Sequence, residues 1–120
     1  MVSRPSSPNA FNPLATGDIW LVQLDPTVGS EIQKTRPCVL ISPPEMLGHL
    51  HTVIVAPMTT GSHPAAFRIP LTFKGKSGLI LLDQLRTIDK TRLVRREGSV
   101  QSATLKRTLL TLQTMFAPEN

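Results

Sequence analysis

The sequence is poor in cysteine, in aromatic side chains and in acidic residues. One of its 120 residues is cysteine, none is tyrosine, and 8 Asp and Glu residues face 13 Lys and Arg residues. A single cysteine excludes an intrachain disulfide, and the apolar run around Cys38 predicts a buried thiol that acts as a small hydrophobic side chain. The formal charge of +5 favours a polyanionic partner, either nucleic acid or an acidic protein, without choosing between them.

Long apolar runs and the common catalytic motifs are missing as well. No apolar run approaches the roughly 20 residues that span a bilayer, and residues 1–16 have no apolar segment typical of a secretion signal. A cytoplasmic protein without membrane association is therefore expected. His49 and His51 have no third ligand at useful spacing, so neither a metal site nor a cofactor is predicted. Residues 74–78 lack the spacing of a phosphate-binding loop and instead predict a hairpin turn.

The chain is long enough for one hydrophobic core and too short for two ordinary domains. Residues 1–16 are rich in Pro, Ser and Asn and predict a disordered arm, and residues 17–117 predict the folded domain. Short strands separated by Gly and Pro, with a single late helix, predict a mainly β fold: a small antiparallel barrel with a C-terminal α-helix. The predicted strands cover residues 19–24, 38–42, 52–58, 67–73, 79–88 and 92–95.

Two kinds of local signal refine this arrangement. Pro57 and Pro70 are expected to mark sheet edges, or in the case of Pro57 a bulge, because proline cannot donate to a strand ladder. Beyond Ser99 the apolar residues recur at helical spacing, which predicts an α-helix. Ser99 or Ser102 is the expected N-cap, and Pro118 lies just past the end of this helix. The apolar stripe of this helix consists of Leu105, Leu109, Leu112 and Phe116.

Residues 29–37 form the stretch around which the candidate chemistry is organised. Pro37 fixes its own φ and pushes Arg36 toward an extended conformation, just before the apolar run 38–41. An arginine held on such a stiff backbone is well placed to meet a phosphate. The alternative is an arginine that pairs with a surface carboxylate.

Further polar residues leave the ends of apolar strands, where barrels commonly carry their sites. Glu31 lies in the first loop, Thr59 and Thr60 follow the third predicted strand, and the segment 83–86 contains Asp83, Gln84 and Arg86. Each also has a simpler interpretation. Glu31 fits a loop charge, Thr59 a hydroxyl that bonds its own turn, and Asp83 an ion-pair partner of Arg86.

Taken together, these segments resemble the MazF/PemK (Kid) family of toxin endoribonucleases over residues 17–116. Any one fragment is weak evidence, whereas five in the same order and with similar spacing are strong evidence. The segments that carry the resemblance are Gly17-Asp18-Ile19-Trp20, Leu24-Asp25-Pro26-Thr27 with Gly29-Ser30-Glu31, Thr35-Arg36-Pro37, Val55-Ala56-Pro57-Met58-Thr59-Thr60 and Asp83-Gln84-Leu85-Arg86-Thr87-Ile88-Asp89.

The resemblance implies an SH3-like barrel of the plasmid-maintenance toxin type, assembled as a homodimer. It also implies sequence-specific cleavage of single-stranded mRNA, which inhibits growth, and inhibition by a cognate acidic antitoxin of the MazE/PemI type, with which the toxin binds DNA. By resemblance, Arg36 and Thr59 are the catalytic pair, and the loop with Glu31 contacts RNA and responds to antitoxin. The expected RNA-binding residues are Ser30, Gln33, Lys34, Thr60, Gln84 and Arg86.

Metal-free RNA cleavage suits these residue types, because a guanidinium and a hydroxyl can stabilise the charge that gathers on the phosphoryl oxygens. Glu31 and Asp83 are the candidate bases, with His63 a distant third. The Kid-like branch has an arginine two residues before the aspartate and a histidine in the first loop. Leu81 and Ser30 stand at those positions here. Asp83 is therefore expected either to act as base or to orient a site group such as Arg86.

Two functions from other classes remain open on the sequence. One is a non-catalytic toxin that uses the same barrel to bind and poison DNA gyrase, because a fold alone does not fix a function. The other is a barrel that binds RNA without cleaving it. An arginine before the second strand, together with Thr59, favours the nuclease.

Overall fold

Antiparallel strands and one long helix account for most of the computed structural model, which describes residues 13–119. The strands form a curled half-barrel with the helix at its C-terminal end, so the predicted mainly β barrel is confirmed. Turns of 3-10 helix lie at Leu82–Gln84 and Lys90–Arg92. The elements are β1 (Asp18–Gln23), β2 (Thr35–Leu40), α1 (Pro44–Leu47), β3 (Thr52–Thr59), β4 (Arg68–Phe73), β5 (Lys76–Leu81), β6 (Arg86–Asp89), β7 (Leu93–Ser99) and α2 (Ser102–Met115).

Strand β3 lies at the centre of the fold, with the order β4-β5-β3-β2-β1-β7 and β6 paired to β3 beside this path. One edge of β3 pairs with β2. The other edge pairs first with β6, up to Val55, and then with β5, from Met58 onward. Because one strand serves two partners in succession, the sheet curls on itself.

Both faces of the central strands are buried. Along β2, Cys38 and Leu40 pack into one apolar cluster and Val39 into another, since successive side chains point to opposite faces. This double burial explains an apolar run that does not alternate. Burial raises the pKa of the Cys38 thiol to about 12, as expected for an inert thiol. Trp20 also belongs to the core, being 5% exposed.

The two prolines differ in position. Pro70 lies in β4, an edge strand of the sheet, as predicted. The edge prediction for Pro57 is wrong, because Pro57 pairs with Cys38 in the middle of the sheet. It lies between Val55 and Met58, where β3 changes its partner, and this break in the ladder tolerates a residue without an N–H.

Helix α2 packs less fully than the apolar stripe predicts. Gln101 occupies the N-cap position without a side-chain bond, so the predicted Ser99 or Ser102 cap is wrong. Thr108 is the fully buried residue of the helix, and its hydroxyl donates to the carbonyl of Thr104 at 2.8 Å. Phe116 is 69% exposed, because it follows the last turn that packs on the sheet.

The last residues of the predicted arm contact the domain. Leu14 packs against the core cluster of Trp20, and the Thr16 hydroxyl donates to the carbonyl of Ser42 at 2.7 Å. Residues 1–12, for which disorder is predicted, lie outside the described residues. Within residues 13–119, no helix has the length and the apolar character needed to cross a membrane.

Candidate active site

Arg36 and Thr59 line one cavity of about 290 Å³. The β2–β3 ladder pairs Cys38 with Pro57, and the same antiparallel register, continued for two residues, places Arg36 opposite Thr59. Two residues that are 23 positions apart in the sequence (59 − 36) therefore meet at the end of one strand pair. Strand pairing, which is rigid compared with a loop, holds both residues at the cavity.

The Arg36 side chain is exposed, and Nε is the one nitrogen of its guanidinium that is hydrogen-bonded within residues 13–119. Its Nε donates to the carbonyl of Gln33 at 3.2 Å. Among residues 13–119 the ion pairs are Arg68–Asp83, Lys74–Glu97, Arg95–Glu97 and Arg96–Asp18, so the alternative of a surface ion pair for Arg36 is not observed. The terminal nitrogens of Arg36 are thus available to an anion.

Thr59 is the last residue of β3 and is half-buried. Its Oγ1 accepts a hydrogen bond from the Gly61 N–H at 3.2 Å, which is the local turn bond expected of such a residue. This bond uses a lone pair of the hydroxyl and leaves its proton free to be donated. Thr59 can therefore hold a fixed orientation and still donate into the cavity.

Gly78, for which no site role was predicted, allows β5 to approach Thr59 closely. A Cβ built on Gly78 lies 2.9 Å from the carbonyl oxygen of Thr59, closer than van der Waals contact permits. The sequence prediction places Gly78 in the turn 74–78, whereas it lies within β5, where a glycine often marks a close approach of another backbone. Gly78 is thus part of the support that positions Thr59.

We expect Gly78→Ala to lower the free energy of unfolding by about 1–3 kcal/mol, because the added methyl must displace the Thr59 backbone. Gly61→Ala is the matched control, since a Cβ there meets only the Thr59 Oγ1, at 3.9 Å. Urea denaturation of both variants measures the difference. Equal stability of the two variants contradicts the close approach.

The remaining cavity wall comes from the β4–β5 hairpin. Its turn residues Lys74 and Gly75 have φ values of 52° and 76°, typical of a tight two-residue hairpin turn. The predicted hairpin turn is therefore present but shorter than residues 74–78, because β5 already begins at Lys76. Leu71, Phe73, Lys74 and Lys76 line the cavity beside Arg36. No site role was predicted for Lys74 or Lys76, although both lysines lie within the predicted turn 74–78.

The first loop, which connects β1 to β2, carries Glu31 and is hydrogen-bonded to Gln84. The Glu31 Oε1 accepts from the Val28 N–H at 2.7 Å, within the loop. The Gln84 Oε1 accepts from the Ile32 N–H at 2.8 Å, so Gln84, expected to bind RNA, supports the loop. Ser30, Gln33 and Lys34 are exposed on this loop.

Asp83 has a different partner from the predicted one. The Arg68 Nε and Nη2 donate to the two carboxylate oxygens of Asp83 at 3.1 and 2.9 Å, and the Arg68 Nη1 donates to the His63 carbonyl at 3.0 Å. Hydrogen bonding by Arg68 lowers the pKa of Asp83. The prediction that Asp83 orients Arg86 is wrong, because Arg86 instead donates to the carbonyl of Leu24 at 3.3 Å.

The placement of Asp83 follows from two features of the hairpin. Arg68 lies opposite Leu81 in the β4–β5 ladder, so its guanidinium reaches the aspartate two residues further on. The 3-10 turn Leu82–Gln84 separates β5 from β6, whereas the sequence predicted one strand across residues 79–88. Neither Asp83 nor Glu31 lines the cavity shared by Arg36 and Thr59. Within residues 13–119, no three His, Cys, Asp or Glu side chains come together as metal ligands.

Comparison with known proteins identifies one family. Residues 15–116 match the family model described as PemK-like, MazF-like toxin of type II toxin-antitoxin system. The chain is 36% identical over 106 residues to Endoribonuclease PemK of Escherichia coli, covering 83% of this chain and 80% of that protein. It is 37% identical over 83 residues to Endoribonuclease MazF of Staphylococcus epidermidis, covering 64% of this chain and 69% of that protein.

Solved structures agree on the fold. MazF from Deinococcus radiodurans superposes with a TM-score of 0.74 at 24% identity, covering 88% of this chain and 97% of that one. A mycobacterial endoribonuclease in complex with its cognate antitoxin superposes with a TM-score of 0.73 at 18% identity, covering 89% and 99%. These similarities extend over almost all of the described residues.

Proposed function

The chain belongs to the PemK-like, MazF-like toxins of type II toxin–antitoxin systems, and on that premise we propose that it cleaves single-stranded RNA at a short sequence. Its curated relatives are endoribonucleases, and the chain is an enzyme of that class. One observation carries the proposed site: Arg36, whose terminal nitrogens have no partner in residues 13–119, shares a cavity with the hydroxyl of Thr59.

In the proposed reaction the RNA 2′-oxygen attacks the adjacent phosphorus. A bond forms between O2′ and phosphorus, the bond from phosphorus to O5′ breaks, and the products carry a 2′,3′-cyclic phosphate and a 5′-hydroxyl. Negative charge gathers on the non-bridging oxygens in the transition state. The Arg36 guanidinium holds these oxygens and the Thr59 hydroxyl donates to one of them, so the residues supply this charge stabilisation without a metal ion.

A proton must also leave O2′, and another must reach O5′. Of the two candidate bases we favour Glu31 over Asp83. Both carboxylate oxygens of Asp83 accept from Arg68, which lowers its pKa and weakens it as a base. Only one oxygen of Glu31 is bonded within the described part of the chain, to the Val28 N–H. Because Glu31 does not line the cavity, this assignment requires the first loop to move toward bound RNA.

The partners follow from the family and the charge. We propose a homodimer that is inhibited by a cognate acidic antitoxin and binds DNA together with it. The formal charge of +5 suits both RNA and an acidic antitoxin segment. Cleavage of mRNA then inhibits translation and growth.

We expect the purified chain to cut a long RNA of low structure at one short motif when EDTA is present, because the proposed chemistry needs no metal. Mapping of the ends should give 2′,3′-cyclic phosphates and 5′-hydroxyls. Complete inhibition by EDTA, with recovery on adding Mg²⁺, contradicts the metal-free mechanism. An intact, folded dimer that cuts no RNA removes the nuclease proposal and favours a toxin that acts by binding, with DNA gyrase as the first target to assay.

A further inference from the structure

One face of the β4–β5 hairpin continues the hydrophobic core into the cavity. The ladder pairs Ile69 with Ile80, Leu71 with Gly78, and Phe73 with Lys76. Cross-strand partners lie on the same face of a sheet. The first pair is buried in the core, whereas all four residues of the other two pairs line the cavity.

The floor of this cavity is apolar and incompletely covered. Leu71 and Phe73 are half-buried, and both pack on the core cluster that contains Ile80. Gly78, the ladder partner of Leu71, also lines the cavity and adds no side chain to its floor. An unstacked nucleobase binds such a surface, since aromatic and apolar side chains replace its neighbours in the strand.

The rim of the cavity is cationic, and its lysines differ. The Lys74 ammonium pairs with the Glu97 carboxylate at 2.5 Å and lies 5.3 Å from the centre of the Phe73 ring. Lys76 has no ion-pair partner within residues 13–119, and neither has Arg36. Two uncompensated cations on the rim of an apolar cavity suit a base with flanking phosphates better than they suit a second basic copy of the chain.

We propose that this hairpin face is a nucleotide subsite beside the scissile phosphate. The nucleobase adjoining the cleaved bond lies against Phe73 and Leu71, and a phosphate of the RNA backbone binds Lys76. The subsite rests on the proposed endoribonuclease function and assigns part of its substrate recognition to residues that the catalytic step does not use. Lys74 contributes less than Lys76, because Glu97 already neutralises it.

The test uses an RNA oligonucleotide that spans a mapped cut site and carries a 2′-deoxy sugar at the cleaved nucleotide, so that it binds without reacting. Binding to the full chain is measured by fluorescence anisotropy across a range of salt concentrations. We expect Lys76→Ala to weaken binding and to reduce the slope of log affinity against log salt by about 0.7, the loss of one phosphate contact on a single strand. Lys74→Ala should change the slope less, and Lys106→Ala on α2, which does not line this cavity, should leave it unchanged.

The apolar floor is tested by Phe73→Leu, which keeps an apolar side chain in the core cluster and removes the ring. We expect about a fivefold or greater loss of affinity, since stacking of one base contributes about 1–3 kcal/mol. With the all-RNA substrate, KM should rise in Lys76→Ala while kcat changes little. This split separates substrate positioning from damage to the catalytic residues.

Two outcomes overturn the subsite. One is a salt slope for Lys76→Ala equal to that of Lys106→Ala. The other is a shift in the monomer–dimer equilibrium of Lys76→Ala, measured by light scattering, which would assign this face to a second copy. Failure of the proposed function is a separate result: if the wild-type chain cuts no RNA, the slopes are measured on a single-stranded RNA of mixed sequence. A difference between Lys76→Ala and Lys106→Ala then supports nucleotide binding at this hairpin face, and no difference overturns it.

Discussion

Arg36→Ala is expected to slow RNA cleavage by a factor of about 100 to 1,000, the loss found when one preorganised donor to a developing oxyanion is removed. The Arg36 side chain is exposed, and only its Nε is bonded within residues 13–119, to the Gln33 carbonyl. Its removal should therefore leave the fold intact. Single-turnover cleavage of an oligonucleotide containing the mapped motif measures the effect on chemistry.

Two variants accompany Arg36→Ala. Arg107→Ala removes an exposed arginine on α2, away from the cavity, and should cleave at the wild-type rate. Arg36→Lys keeps the charge but not the planar pair of donors, so it should recover only part of the loss. Wild-type cleavage by Arg36→Ala, with an unchanged thermal transition, would show that the guanidinium has no part in the reaction.

The sequence predicted that Arg36 and Thr59 belong to one site, and the fold shows why these two residues line the same cavity. Arg36 lies at the start of one apolar strand and Thr59 at the end of the next, and antiparallel pairing brings the start of one strand to the end of its neighbour. Strand runs and turn residues are local signals. The barrel, its C-terminal helix and a hairpin turn within residues 74–78 could accordingly be predicted from them.

Contacts that depend on register could not be predicted in this way. Asp83 pairs with Arg68 because β4 and β5 align Arg68 with Leu81, and no local pattern fixes that alignment. The close approach of Gly78 to Thr59 likewise depends on how β5 sits beside β3. The apolar stripe of α2 also led to an overestimate of how deeply its leucines are buried. The most buried residue of the helix is Thr108, whose hydroxyl is hydrogen-bonded within the helix.

The geometry also separates two parts of the site. Arg36 and Thr59 lie on paired strands, whereas Glu31 lies on a loop that is fastened to the body through the Ile32 N–H and Gln84. Charge stabilisation benefits most from groups that do not move during the reaction. The position of a base on a loop can instead change when the loop contacts RNA or another protein. If Glu31 is the base, as we propose, an antitoxin that displaces the first loop abolishes proton removal from O2′ while leaving Arg36 and Thr59 in place.

Thr59→Val is expected to slow cleavage by about 100-fold, because it removes one hydroxyl donor and preserves the branched shape of the side chain. It also removes the acceptor of the Gly61 N–H, which costs about 1 kcal/mol of stability. Thr59→Ser retains the hydroxyl and should keep most of the activity. Thr72→Val, an exposed strand position outside the cavity, is the matched control.

The double variant Arg36→Ala/Thr59→Val decides whether the two residues act together. If both donate to the same phosphoryl group, the loss in the double variant should be smaller than the product of the single losses, because residues that act as a unit are not additive. Single-turnover rates of the four proteins complete the cycle. Losses that multiply fully would mean that Arg36 and Thr59 act on separate steps or separate groups. The hydroxyl of Thr59 would then serve to position the turn at Gly61, and another donor at the cavity would have to stabilise the phosphoryl oxygens beside Arg36.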